Sequence, residues 1–121
     1  MGKILLAEDD PFLINIYANH LKKEGFKVDI ANDGQMALDK VKSTHPDLLL
    51  LDILMPKMNG WEVLEALRKD PAIKDLKVIV ISNLNQQEHA EEIARLRVTK
   101  YFLKVETTPE EISDAIKEAL K

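Results

Sequence analysis

Five side chains of complementary chemistry punctuate this 121-residue chain: Glu8 and Asp9, Asp52, Ser82 and Lys104. Each stands at or just past the end of a short apolar run: ILLA before Glu8, LLLL before Asp52, VIVI before Ser82 and YFL before Lys104. Three carboxylates brought together repel, and burial raises their pKa, unless a cation joins them. The donors are hard oxygens, without His or Cys, which suits Mg²⁺ better than zinc. Mg²⁺ keeps several waters and takes few carboxylates plus a phosphate oxygen. A carboxylate beside such a metal can act as a nucleophile and form an aspartyl phosphate. Lys104 would neutralise phosphoryl charge as a mobile point cation, and Ser82 would donate its hydroxyl to a phosphoryl oxygen. Taken singly, each residue has a plainer reading. Glu8 and Asp9 are solvated acids, Asp10 is a helix cap, Ser82 is a loop residue and Lys104 is surface. The plainer readings lose because four separate runs deliver complementary groups to one rim.

The rest of the chain must position that rim. Short apolar runs alternate with longer amphipathic ones. Strands are expected over residues 3–8, 26–30, 47–52, 76–82 and 99–103. The continuous run DLLLLD suits a parallel sheet covered on both faces. Asp10-Pro11 reads as a cap followed by Pro at the first helical position, and that helix runs to Glu24. A second helix starts at Asn32 or Asp33 and ends before Pro46, a third spans 59–69, and a fourth spans 85–97. Asn85 and Glu88 read as a capping pair for the fourth. Thr108-Pro109-Glu110-Glu111 starts the fifth, whose apolar face is Ile112, Ala115, Ile116 and Ala119. Strands alternating with helices at these lengths imply βαβ units, an α/β fold with a parallel sheet and right-handed crossovers. In such a sheet, sites form outside the carboxyl ends of the strands. His20, His45 and His89 are too scattered for a metal site and read as surface residues; Trp61 and the Met residues read as packing.

Composition narrows the function classes. The length fits one domain, residues 1–121. A net charge of −4 argues against direct nucleic-acid binding, which needs clustered Lys and Arg. The absence of Cys excludes disulfides, thiolate nucleophiles and Cys-based zinc sites. The amino-terminal apolar run is too short for a signal peptide, and the run Leu48 to Leu51 is too short to cross a membrane. The expectation is a soluble, cytoplasmic protein with no membrane partner.

These residues resemble the receiver domain of two-component response regulators, over essentially the whole chain. The matching pieces are ILLAED, ANDG, LLLLDILMPKMNG, Ser82 and Tyr101-Phe102-Leu103-Lys104. The D-x-x-M-P-x-M-x-G segment is the most specific. The resemblance implies a flavodoxin-like sheet of order 2-1-3-4-5 with helices on both faces. It implies Asp52 as phospho-acceptor, and Mg²⁺ held by Glu8, Asp9, Asp52 and the backbone carbonyl of Leu54. Ser82 and Lys104 would bind the phosphoryl group, and Tyr101 would be the switch residue that turns inward as Ser82 moves. The implied partners are a sensor histidine kinase or phosphotransfer protein, and an output partner or effector domain outside this chain. Dimerisation on phosphorylation is a further option. Catalysis would be limited to assisting its own phosphorylation and dephosphorylation.

The chain departs from the family pattern in places. Val105 stands where Pro commonly follows the site Lys, leaving either a trans bond with a shifted loop or a strained site. Arg97-Val98 replaces a frequent Gly-Ala, so the end of the fourth helix is expected to differ. Asn83 replaces a common Ala and would narrow access to the phosphoryl group. Leu54 and Leu84 are apolar at positions that tune hydrolysis in the family, implying slow phosphate loss. The competing readings are a small Mg²⁺-dependent phosphohydrolase with a covalent Asp, and a receiver-like module that is never phosphorylated. The phosphohydrolase wants an acid two residues after its nucleophile, where Leu54 stands.

Overall fold

The computed structural model describes residues 2–121. Met1, the first residue of the stretch read for a signal peptide, lies outside the described residues. Five strands, β1 (Lys3–Ala7), β2 (Lys27–Ala31), β3 (Leu48–Asp52), β4 (Lys77–Ser82) and β5 (Lys100–Leu103), form one sheet. The order is β2-β1-β3-β4-β5, and every pair is parallel. Five helices alternate with them: α1 (Pro11–Lys23), α2 (Gly34–Thr44), α3 (Gly60–Lys69), α4 (Ala90–Arg95) and α5 (Pro109–Ala119). The order reverses between β1 and β3, and a crevice for ligands opens at such a point.

The sequence explains the layering. All five residues of β3 are buried, as a strand covered on both faces requires. Alternate side chains serve two cores. Leu5, Leu49, Leu51, Val78 and Val80 pack with α2 and α3, while Ile4, Leu6, Leu48, Leu50, Ile79 and Ile81 pack with α1 and α5. No helix among the described residues is long and apolar enough to cross a membrane.

The helix starts follow their capping residues. Asp10 accepts from the amides of Phe12 and Leu13, Asp33 from Met36, and Asn59 and Thr108 form reciprocal capping boxes with Glu62 and Glu111. The fourth helix differs from the expectation. A 3₁₀ turn (Gln87–His89) precedes an α-helix of only six residues. Asn85 accepts from Gln87 and Glu88, but Glu88 does not return a bond, so the expected pair is half made. The cause is composition: the stretch from Gln86 to Arg95 buries no side chain fully.

Arg97 takes a left-handed backbone, φ 54°, where the family often has Gly. Arg68 holds the surrounding turn by donating to the carbonyls of Leu96, Arg97, Lys74 and Leu76.

Candidate functional site

The five residues singled out by chemistry converge at the carboxyl rim of the sheet. Glu8 follows β1 and its amide continues the ladder to Ala31 at 3.0 Å. Asp52 and Ser82 are the last residues of β3 and β4. Lys104 opens a 3₁₀ turn (Lys104–Glu106) directly after β5. One carboxylate oxygen from each of Glu8, Asp9 and Asp52 lies within 4.8 Å of the others. Glu8 and Asp52 are buried and Asp9 is exposed.

Lys104 spans the two buried acids. Its Nζ donates to Asp52 Oδ2 at 3.0 Å and lies 2.8 Å from Glu8 Oε1. That ammonium is the partner of Glu8 Oε1. Glu8 Oε2 is satisfied by the amides of Asp9 and Asp10, at 3.0 and 3.2 Å. Burial pushes the Glu8 carboxyl above its ordinary range; Lys104 opposes that and the charge of Asp52 adds to it. Burial pulls the Lys104 ammonium down, but Glu8 and Asp52 outweigh it and the net direction is up. One cation therefore balances two buried acids, with Asp9 close by.

That donor set fits a divalent hard cation. The cluster is all oxygen and carries more negative charge than Lys104 can offset. Leu54, whose carbonyl was expected to contribute, sits on the exposed loop immediately beyond Asp52, with its side chain 60% exposed.

The glycines of the two most specific motifs explain how that loop is held. A Cβ on Gly60 would lie 2.8 Å from the Asp52 carbonyl, so α3 can start this close beneath the strand end only with glycine there. A Cβ on Gly34 would lie 1.8 Å from the Met58 carbonyl. The ANDG turn thus packs directly on the loop that follows Asp52, and Lys57 Nζ reaches Asp33 Oδ2 at 3.6 Å.

Ser82 is fully buried, and its Oγ accepts from the Leu84 amide at 3.1 Å. Tyr101 is buried, its hydroxyl donating to the Leu84 carbonyl at 2.8 Å, and burial raises its pKa. The structure holds Tyr101 turned inward while Ser82 still bonds the Leu84 amide, so the inward position does not wait on a movement of Ser82 as expected. No peptide bond among the described residues is cis, so Lys104–Val105 is trans. Lys104 still reaches Asp52, which resolves the choice that Val105 left open.

Two histidines correct the sequence reading. His20, expected at the surface, is half-buried and hydrogen-bonds Ser113 Oγ at 3.1 Å. His89 is also half-buried and stacks on Trp61 with ring centroids 5.2 Å apart. His45 is exposed, as expected. Sequence reasoning missed one bond near the site: the Val105 amide donates to Asn83 Oδ1 at 3.2 Å. The signal was present as two departures in one chain, a side-chain acceptor where Ala is common and an N–H where Pro is common.

A doubly wound sheet of this order, with acids, hydroxyl and lysine at its carboxyl rim, defines a phospho-acceptor switch domain. The chain belongs to the response regulator receiver domain family, whose profile matches residues 4–117. It is 49% identical over 69 residues to the transcriptional regulatory protein CpxR of Escherichia coli K12, covering 57% of this chain and 29% of that protein. It is 33% identical over 86 residues to the DNA-binding dual master transcriptional regulator RpaA of Synechocystis, covering 71% of this chain and 36% of that protein. The chain thus spans roughly a third of the length of these relatives. Among solved structures it is similar to a LuxR-family DNA-binding response regulator from Staphylococcus aureus, with TM-score 0.90, 28% identity and full coverage of both chains. It is also similar to the chemotaxis response regulator CheY4 of Vibrio cholerae, with TM-score 0.89, 25% identity and 99% of each chain covered. The chain is a phospho-acceptor module of two-component signalling and not an enzyme of the ordinary kind.

Proposed function

We propose that Asp52 takes a phosphoryl group from a sensor histidine kinase or phosphotransfer protein. In that step an Asp52 carboxylate oxygen bonds to phosphorus, the P–N bond to the donor imidazole breaks, and the imidazole takes up a proton. The observation that carries this reading is the cluster of three carboxylates within 4.8 Å, two of them spanned by a half-buried lysine. Glu8, Asp9, Asp52 and the Leu54 carbonyl would hold Mg²⁺. When bound, the ion would offset the charge of the acids and of the transferring phosphoryl oxygens.

Lys104 does the remaining charge work. Its Nζ already lies 3.0 Å from Asp52 Oδ2, so a small shift of a flexible side chain puts it on a phosphoryl oxygen. Ser82 sits on the adjacent strand and exchanges its bond to the Leu84 amide for one to phosphate. That exchange loosens the turn whose Leu84 carbonyl receives the Tyr101 hydroxyl. The output is then a population shift in α4, β5 and α5, read by a partner or effector domain. Self-catalysis is limited to phosphorylation and dephosphorylation of Asp52. The setting for that partnership is the cytoplasm.

Metal dependence tests the reading. Mg²⁺ at a hundred times its dissociation constant stabilises a single site by about 2.7 kcal/mol, read as a rise in Tm. Wild type is expected to show that rise, with Asp9→Asn and Asp52→Asn losing most of it. An equal rise in all three proteins would defeat the assignment.

A further inference from the structure

We propose that Asn83 is a positioning residue for Lys104, acting through the backbone N–H of Val105; this rests on the assignment of Lys104 to the phosphoryl group. The register of the sheet is where the argument starts. Ser82 and Leu103 are the last paired residues of β4 and β5. Beyond them the backbones part, and the next residues are Asn83 on one side and Lys104 on the other. The Asn83 side chain closes that gap, because its Oδ1 accepts from the Val105 amide at 3.2 Å. A side chain thus supplies one more rung between the strands that carry Ser82 and Lys104.

That rung matters because little else fixes Lys104 from this side. The turn after β5 is closed locally by Thr107, whose amide donates to the Lys104 carbonyl at 3.3 Å and whose hydroxyl donates to the Leu103 carbonyl at 2.6 Å. Both bonds stay within the turn. The Asn83 bond ties it to another element, at a residue whose own side chain is 77% exposed and gives no packing anchor. A proline at position 105 would have no N–H to offer, so the two departures from the family pattern are one device. Asn83 also follows Ser82 directly, so the same bond joins the two segments that carry the phosphoryl contacts.

The test separates this bond from the bulk of the side chain. Asn83→Leu keeps the size and removes the acceptor, while Asn83→Ala removes both. Asn83 is exposed, so both variants are expected to fold. Amide hydrogen exchange at Val105 is expected to be about tenfold faster in Asn83→Leu than in wild type. Labelling by acetyl phosphate with Mg²⁺ is expected to slow by roughly three- to tenfold, the range set by one lost hydrogen bond. In a Val105→Pro background, Asn83→Leu is expected to have no further effect on labelling. Unchanged exchange at Val105 would overturn the proposal, as would faster exchange with an unchanged labelling rate, or additive losses in the double variant. Wild type that takes no label at all would fell the functional reading, and the positioning role with it, whatever the exchange data show.

Discussion

Helices α4 and α5 flank the same edge strand, and they are built on opposite terms. The α5 helix has a reciprocal cap at Thr108 and Glu111 and buries Ile112, Ser113 and Ile116 against the sheet and α1. The α4 helix has six residues, no side-chain cap on its first turn and no fully buried side chain; Leu96, just past its end, supplies the buried anchor. At its far end Arg97 takes a left-handed backbone that L residues disfavour. The neighbouring rim shares that character, with Glu8 buried beside Asp52. One region is optimised for stability, and the other holds groups that stability alone would not select. Elements that must move are drawn from the less stable parts of a fold.

Substitutions should therefore differ in sign as well as size. Ile116→Ala is expected to destabilise by about 2–5 kcal/mol in chemical denaturation, the range for a fully buried aliphatic. Ile93→Ala in α4, only half-buried, is expected to cost about 1 kcal/mol or less. Equal losses would break the comparison.

Glu8→Gln is expected to go the other way, stabilising the protein at neutral pH, because it removes the buried charge whose desolvation raises the Glu8 pKa. The sign follows from linkage. The Glu8 pKa is raised in the folded state, so the folded protein binds the proton more tightly than the unfolded chain. The Glu8 contribution therefore falls as pH rises through the window above the ordinary value of 4.5. Denaturation at several pH values should show that slope in wild type and its loss in Glu8→Gln. A destabilised variant would mean that the pairing with Lys104 outweighs burial.

Arg97→Gly is expected to stabilise by about 1 kcal/mol through relief of the left-handed backbone. The exposed ion pair of Arg97 with Asp75, at 3.4 Å, offsets little of that. The smallest effect concerns rate. Leu54→Asn with Leu84→Glu puts polar groups beside the rim and is expected to speed phosphate loss by roughly threefold, a barrier change of about 0.7 kcal/mol. An unchanged lifetime would remove Leu54 and Leu84 as determinants of slow hydrolysis.

The sequence made some of this legible and hid the rest for physical reasons. Leu48–Leu51 announced a strand buried on both faces, because both cores demand apolar residues at every position. Capping residues marked the starts of α1 and α5, because each cap is a local bond. Strand order came from family resemblance, since periodicity says nothing about which strands neighbour. The α4 region misled because Asn85 and Glu88 have capping spacing but too little apolar surface follows them. Arg68 reads as an ordinary helix-surface arginine, yet it donates to four carbonyls from 6 to 29 residues away. The Asn83–Val105 bond was hidden for the same reason, because side chain-to-backbone bonds between distant segments leave no periodic trace. At the site, Glu8, Asp9, Asp52, Ser82 and Lys104 were found by asking what each strand ends in.

The central claim is that Asp52 accepts the phosphoryl group. Intact-mass spectrometry after incubation with acetyl phosphate and Mg²⁺ tests it most directly, with Asp52→Asn treated alongside. The expected result is one added phosphoryl group on wild type, none on Asp52→Asn, and loss of the label when Mg²⁺ is chelated beforehand. Equal labelling of both proteins, or of neither, would contradict it.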